Sequence, residues 1–261
     1  MEEVEIPEVL KQFSDGLIAK QRPYVSIKAT PLHCELNKDP LDVKGSKFLG
    51  VPFIPEGMEY PTDKNSDPLV LIAQINFCEL PSLDGFPNEG ILQLYFSKKE
   101  WWDMSGAEKF IYISSNEMNK PQRSDLPSID KDMYEDLPVW KIHKLEFVKA
   151  IDTGSSEDCQ FSFDFGGKDY WDFEESLSEE DKKAFDDYFT GEGHKVGGYA
   201  YFTQGDPRDY KDHQRNDLQI LQIDVDDEIM FGDSGIGHIF ISPEHLKNRE
   251  LEKSYFYWDC C

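Results

Sequence analysis

From Tyr24 onward the chain is written in short apolar runs cut by Pro, Gly and Asp, the texture of β-strands separated by turns. The pattern predicts strands at Tyr24–Lys28, Phe48–Ile54, Leu69–Phe77, Ile91–Ser97, Phe110–Ser114 and Leu145–Ile151. It resumes at Gly198–Phe202, Leu218–Asp224, His238–Ile241 and Ser254–Trp258. Helical spacing is confined to three places. Val9, Leu10, Phe13, Leu17 and Ile18 recur at helical intervals behind Pro7, so residues 7–20 read as a helix. Ser178-Glu-Glu-Asp181 approximates a capping box, and Ala184, Phe185, Tyr188 and Phe189 share one face, predicting a helix near 178–190 ended by Gly191. Ser242-Pro243-Glu244 starts a short helix that runs to about Arg249. The polar, Pro-bearing stretch Ser115–Pro138 reads as a long loop with at most one helical turn.

The strand pattern repeats itself. Gly50 precedes Gln74 by 24 residues, and Gly198 precedes Gln222 by the same 24. LVLIAQIN (69–76) then lies opposite DLQILQID (217–224), and GILQLYFS (90–97) opposite GIGHIFIS (235–242). Matched Gly, Gln, Asn/Asp and Ser at one register carry more weight than matched Ile and Leu, and they predict a duplicated β-rich unit. The units fall at about 46–101 and 194–246, within a single compact domain spanning 1–261. Two such units face each other across a pseudo-twofold, which makes the groove between them the natural ligand site. The expected fold is α+β with β dominant: mixed or antiparallel sheets from the duplicated unit, with a few peripheral helices.

Charge narrows the partners. Lys and Arg total 27 against 52 Asp and Glu, a formal charge of −25. Residues 152–192 alone hold fourteen acids, three lysines and nine aromatic residues. A flexible acidic linker would lack those rings, so this segment is folded. A field of that sign repels nucleic-acid phosphate and anionic lipid, and it favours basic proteins or metal cations. No apolar run approaches the length of a membrane span, and the acidic start MEEVEIPEVLKQF is unlike a secretory signal, which points to the cytoplasm. Five cysteines (Cys34, Cys78, Cys159, Cys260 and Cys261) form no regular framework and no CxxC pair.

Motifs with catalytic overtones read better as structure. Gly232-Asp-Ser-Gly235 resembles a serine-protease nucleophile loop, with His33 in the matching order, but Ile236 stands where the oxyanion loop needs Gly. A tight turn explains it, with Gly235 supplying positive φ. Asp224-Val-Asp-Asp-Glu228 starts like a calcium loop but lacks the Gly at its sixth position, so it reads as a solvated hairpin. The six histidines show no metal-binding spacing, and neither a metal nor another cofactor is expected. Of the adjacent Trp101 and Trp102, a strand would bury one and expose the other, whereas a helix start could bury both.

Gln74 and Gln222 interrupt apolar strands, either to satisfy backbone groups or to read a ligand from the groove. Arg208 could clamp a carboxylate or phosphate, or pair with a neighbouring Asp to fix its loop. With Gln204, Asp233 and His238, these are the six candidate ligand contacts, His238 being the residue that titrates near neutrality.

In order, SKFLGVPFIPEG, LIAQINFCELP, GILQLYFS, GGYAYFTQGDPR, LQILQIDVDD and FGDSGIGHIFIS resemble the YwqG-like family of uncharacterised proteins, from about Ser46 to the C-terminus. Phe231 departs from the Trp that the family often carries there. The resemblance implies a β-rich fold with a repeated unit and brings no established activity, substrate or catalytic residue. Through relatives near polymorphic toxin systems it also implies an immunity or partner-binding role. The function expected is therefore a non-enzymatic protein that binds a basic partner, and the alternative is a small-molecule-binding protein or enzyme using the inter-repeat groove.

Overall fold

The computed structural model describes residues 4–97, 101–103, 108–129 and 131–260. Its frame is one ten-stranded sheet in which every neighbouring pair is antiparallel, so the parallel pairs of a mixed sheet do not occur in it. In chain order the strands are β1 (Arg22–Pro31), β2 (Lys47–Phe48), β3 (Val70–Asn76), β4 (Ile91–Phe96), β5 (Glu108–Ile113), β6 (His143–Asp152), β7 (Lys195–Gly197), β8 (Leu218–Ile223), β9 (Ile236–Ile241) and β10 (Tyr255–Asp259). Their spatial order is β10-β9-β8-β7-β1-β6-β2-β3-β4-β5. The two longest strands, β1 and β6, pair at the centre from Arg22↔Asp152 to Pro31↔His143, and four strands extend on each side.

The helices are short and peripheral: α1 (Ser14–Lys20), α2 (Ser115–Met118), α3 (Tyr170–Glu175), α4 (Glu179–Tyr188) and α5 (Pro243–Asn248). The first expected helix divides into a 3-10 stretch, Glu8–Phe13, and α1. α4 begins where its sequence says it should, with Ser178 Oγ accepting from Asp181 N. α5 is likewise capped by Ser242 Oγ, and Arg249 ends it at φ 64°.

β3, β4 and β9 are buried at every residue, and β8 at all but its first, because both faces of these hairpins are covered. One face looks into the main core, where Ile72, Leu94, Ile220, Ile239 and Phe256 meet. The sheet curls until its ends touch around that core: Phe96 on β4 packs 4.8 Å from Phe256 on β10. Trp101 and Trp258 lie 5.3 Å apart, and Trp258 Nε1 donates to Trp102 O. Of the paired tryptophans, Trp101 is thus buried in the seam and Trp102 is 49% exposed.

The opposite face of each hairpin is covered by a loop, and here two of the expected strands are not strands. Residues 49–54 and 198–202 are irregular chain crossing the hairpins. Their amides find side chains instead of a strand. Phe53 N donates to Gln74 Oε1, and Tyr201 N to Gln222 Oε1. Gln74 Nε2 donates to Val43 O and Gly45 O, and Gln222 Nε2 to Gly191 O and Gly193 O. These partners are offset by the same 148 residues (222 − 74).

The match continues. Lys47 pairs with Asp39 Oδ2 at 2.7 Å, and Lys195 with Asp152 Oδ2 at 2.8 Å, all four side chains being buried. The same oxygens accept from Val51 N and Tyr199 N. A bulge interrupts each hairpin, between Leu71 and Ala73 and between Gln219 and Leu221, placing two consecutive residues on the core face.

The helical segment 152–192 covers the second half with its own aromatic core, in which Phe165, Phe173, Phe185 and Phe189 pack edge-on or stacked beside Tyr199. Because each buried Gln satisfies three backbone groups, Gln74→Leu and Gln222→Leu should each lower stability by about 3 kcal/mol. Urea unfolding midpoints measure this.

Candidate functional site

The six candidate residues do not converge on one groove. Gln74 and Gln222 sit on strands separated by β7, β1, β6 and β2, and each is fully buried with its amide spent on backbone. Asp233 is exposed in the turn before β9, and the Gln204 side chain is exposed while its amide donates to Asp259 Oδ2. Arg208, Gln222 and His238 do gather in the second half, where His238 is the cross-strand partner of Gln222.

Arg208 is 1% exposed. Its Nη2 lies 3.0 Å from Asp158 Oδ1 and 2.6 Å from Asp206 Oδ2, its Nη1 donates to Asp217 O, and its guanidinium lies over the Phe240 ring. Burial opposes its charge, but the two carboxylates outweigh burial and hold its pKa above the ordinary arginine value. Asp158, Cys159 and Asp206 bring three potential metal donors within 4.8 Å of one another. The cation they hold is Arg208 itself. Burial, reinforced by Asp206, pushes the Cys159 thiol up to about 12, so it offers no thiolate at neutral pH.

His238 occupies the place that Gln93 has opposite Gln74. Gln219 Nε2 donates to Gly197 O, so its Oε1 faces His238 Nδ1, which must carry the ring proton. Among the described residues His238 Nε2 has no hydrogen-bond partner, and it lies 3.9 Å from Asp259 Oδ1, which has none either. Burial, with Arg208 nearby, drives the His238 pKa down to about 3, and the proton carrier expected from sequence is a neutral core ring stacked 5.6 Å from Phe240 and tilted 4.4 Å from Phe202.

The turn at 232–235 also differs in detail from expectation. Positive φ falls on Gly232 (66°) and Ser234 (55°), not on Gly235. Gly235 is required because a Cβ there would overlap Phe231 O and Asp259 O. Asp224 and Asp226, read as a hairpin, accept from Gly193 N and Glu228 N. Asp226 Oδ2 also meets His194 Nε2 at 3.4 Å and His143 Nε2 at 3.9 Å, a cluster that residue spacing could not reveal because its members lie on three separate segments.

What the second half does present outward is a cavity of about 540 Å³ between the helical segment and the Tyr201–Thr203 loop. Five carboxylates line it: Glu157, Glu174, Asp186, Asp187 and Glu192. Tyr170, Phe189 and Phe202 form apolar wall, and Trp171 is 52% exposed at its margin. Lys182 and Lys183 pair with Glu174 and Asp187, but among the described residues no lysine, arginine or histidine lines the space. Burial and the neighbouring Glu174 and Asp187 hold the Asp186 carboxyl above its ordinary value, and burial raises Glu157. Carboxylates crowded beside exposed aromatic faces suit a cation, which gains from both charge and ring quadrupole. The fourteen acids and nine rings of 152–192 were the sequence signal for this cavity; the residues that reach it depend on how α3 and α4 pack.

A family model described as a domain of unknown function, DUF1963, matches residues 46–260. The chain belongs to the DUF1963 family. No curated protein matches it. The DUF1963 match spans both Gln-anchored hairpins and the acidic segment between them.

Two outcomes test this description. Arg208→Met should destabilise the protein by about 3–5 kcal/mol, since it strands Asp158 and Asp206 in the interior, and calorimetric unfolding measures it. Because folding depresses the pKa of His238 and of His143, the unfolded chain binds more protons below about pH 6.5. Stability is therefore full above that pH and is lost as pH falls toward the folded values. His238→Gln, which copies Gln93, should flatten the profile between pH 4 and 6.5 in urea titrations.

Proposed function

We propose that the protein is a non-enzymatic binding protein whose acidic face, centred on the carboxylate and aromatic cavity of the second half, engages a basic protein partner. The observation that carries this reading is the coincidence of five carboxylates with exposed Trp171 around one space that, among the described residues, no basic side chain lines. The net charge of −25 would steer a basic partner toward it from a distance. An immunity-type antitoxin, as the YwqG-like resemblance implies, is the most concrete form of the proposal. The free cysteines Cys34, Cys78, Cys159 and Cys260 fit a reducing compartment, and the cytoplasm is its proposed location. Among the described residues, no helix is long and apolar enough to cross a membrane. Internal duplication belongs to the same proposal: the matched Gln, Lys and bulge positions at a constant offset support descent from one doubled unit.

Titration calorimetry with a dodeca-lysine peptide tests the reading. Binding should be measurable at low salt and fall steeply as salt rises. Trp171→Ala, and separately Asp186→Asn with Asp187→Asn, should each weaken it by about tenfold, roughly 1.4 kcal/mol. No binding at low salt, or binding indifferent to all three substitutions, would remove the cavity from the proposal and leave only diffuse charge.

A further inference from the structure

The first half contains an opening that the second half closes with its own side chains. Two adjoining cavities of about 240 and 370 Å³ are both lined by Leu36, Asn37, Ile129 and Tyr134. The smaller reaches Val51 and Leu71 on the covered face of the first hairpin, and the larger reaches Cys34. Val51 and Tyr199 are corresponding positions: their amides donate to Asp39 Oδ2 and Asp152 Oδ2, each of which also holds the buried lysine of its half. Yet Tyr199 puts a ring into its site, 2% exposed and 5.4 Å from Phe161 in the aromatic cluster. Val51 puts in an isopropyl group and leaves space beside it.

We propose that this cleft is a binding site for a small, uncharged aromatic molecule, whose ring takes the place that Tyr199 fills in the other half. The walls supply the chemistry. Leu36, Val51, Val70, Leu71, Leu126 and Ile129 give aliphatic surface beside Pro and Tyr, and a dry aliphatic cavity of only about 150 Å³ is enough for benzene. Among the described residues no lysine, arginine or histidine lines either cavity, and Glu35 stands in the larger one, so an anion meets repulsion there without a counter-charge from them. Among the described residues the Tyr134 hydroxyl has no hydrogen-bond partner, and it can anchor one polar substituent on the ligand. The site is independent of the acidic cavity, which lies in the other half.

The test uses N-phenyl-1-naphthylamine, a neutral diaryl fluorophore, on the full chain. Its fluorescence should saturate at one molecule per chain. At saturation, alkylation of Cys34 by iodoacetamide, followed by mass spectrometry, should slow at least fivefold while the exposed Cys78 reacts unchanged. The sulfonated analogue 8-anilinonaphthalene-1-sulfonate should bind at least tenfold more weakly. Val51→Tyr, which supplies the missing ring, should abolish dye binding and Cys34 protection while leaving the circular dichroism and dodeca-lysine titration as in the wild type. Absence of a saturable signal, equal protection of Cys34 and Cys78, or equal affinity for the sulfonate would overturn the proposal. Should Val51→Tyr not fold, Ile129→Trp, on a residue that lines both cavities, replaces it and should likewise abolish dye binding and Cys34 protection.

Discussion

A glutamine side chain that behaves as a piece of backbone is the constraint on which each half of this fold depends. An irregular loop crossing a fully buried hairpin carries amides and carbonyls that water cannot reach, and they must be matched or the loop cannot lie there. Gln74 and Gln222 each accept from one amide of the crossing loop and donate to two carbonyls of the segment before it. Once those bonds form, the loop can cap the hairpin's second face without being a strand. The buried Lys47–Asp39 and Lys195–Asp152 pairs then fix the same loops through their amides. Each ion is expensive to bury alone and tolerable when its partner and the surrounding amides are in place, so the pair works as a register pin more than as a source of stability.

The two halves use this common frame differently. In the first, Gln93 donates to Gln74 and to Phe53 O, and Tyr95 Oη donates back to Gln93, closing a neutral network. In the second, His238, Gln219, Arg208, Asp158 and Asp206 take over, and the chain between β6 and β7 adds an aromatic layer with an acidic exterior. One frame thus carries a neutral half with a mostly apolar cleft and a charged half with an acid-lined cavity.

Much of this was legible in residues alone. Alternating and continuous apolar runs located eight of the ten strands to within a few residues, while β2 shares only Phe48 with its expected run and β7, a three-residue strand, lies just ahead of the run expected at Gly198–Phe202. Ser178 and Ser242 announced their helices because capping is local chemistry. The two misread runs, Phe48–Ile54 and Gly198–Phe202, have strand composition because they are buried, and burial rather than pairing set their apolar content. What pairs them is a side chain more than twenty residues downstream, a long-range fact that local patterning does not encode. The cluster of His143, His194 and Asp226 and the walls of both cavities depend on tertiary packing in the same way. Cys261 lies outside the described residues, so the adjacent thiols at 260 and 261 have no structural counterpart to compare.

The central pairing has a kinetic consequence. β1 leaves the ribosome well before either of its neighbours, since β6 ends at Asp152 and β7 begins at Lys195. The outer hairpins are local and can form early, but the strand that joins the halves must wait for a loop of more than a hundred residues to close. During that interval β1 is an unpaired edge bearing Val25 and Ile27, open to any other strand. Synthesis of this chain therefore passes through a long stage in which the least protected strand is the one that will end up most central.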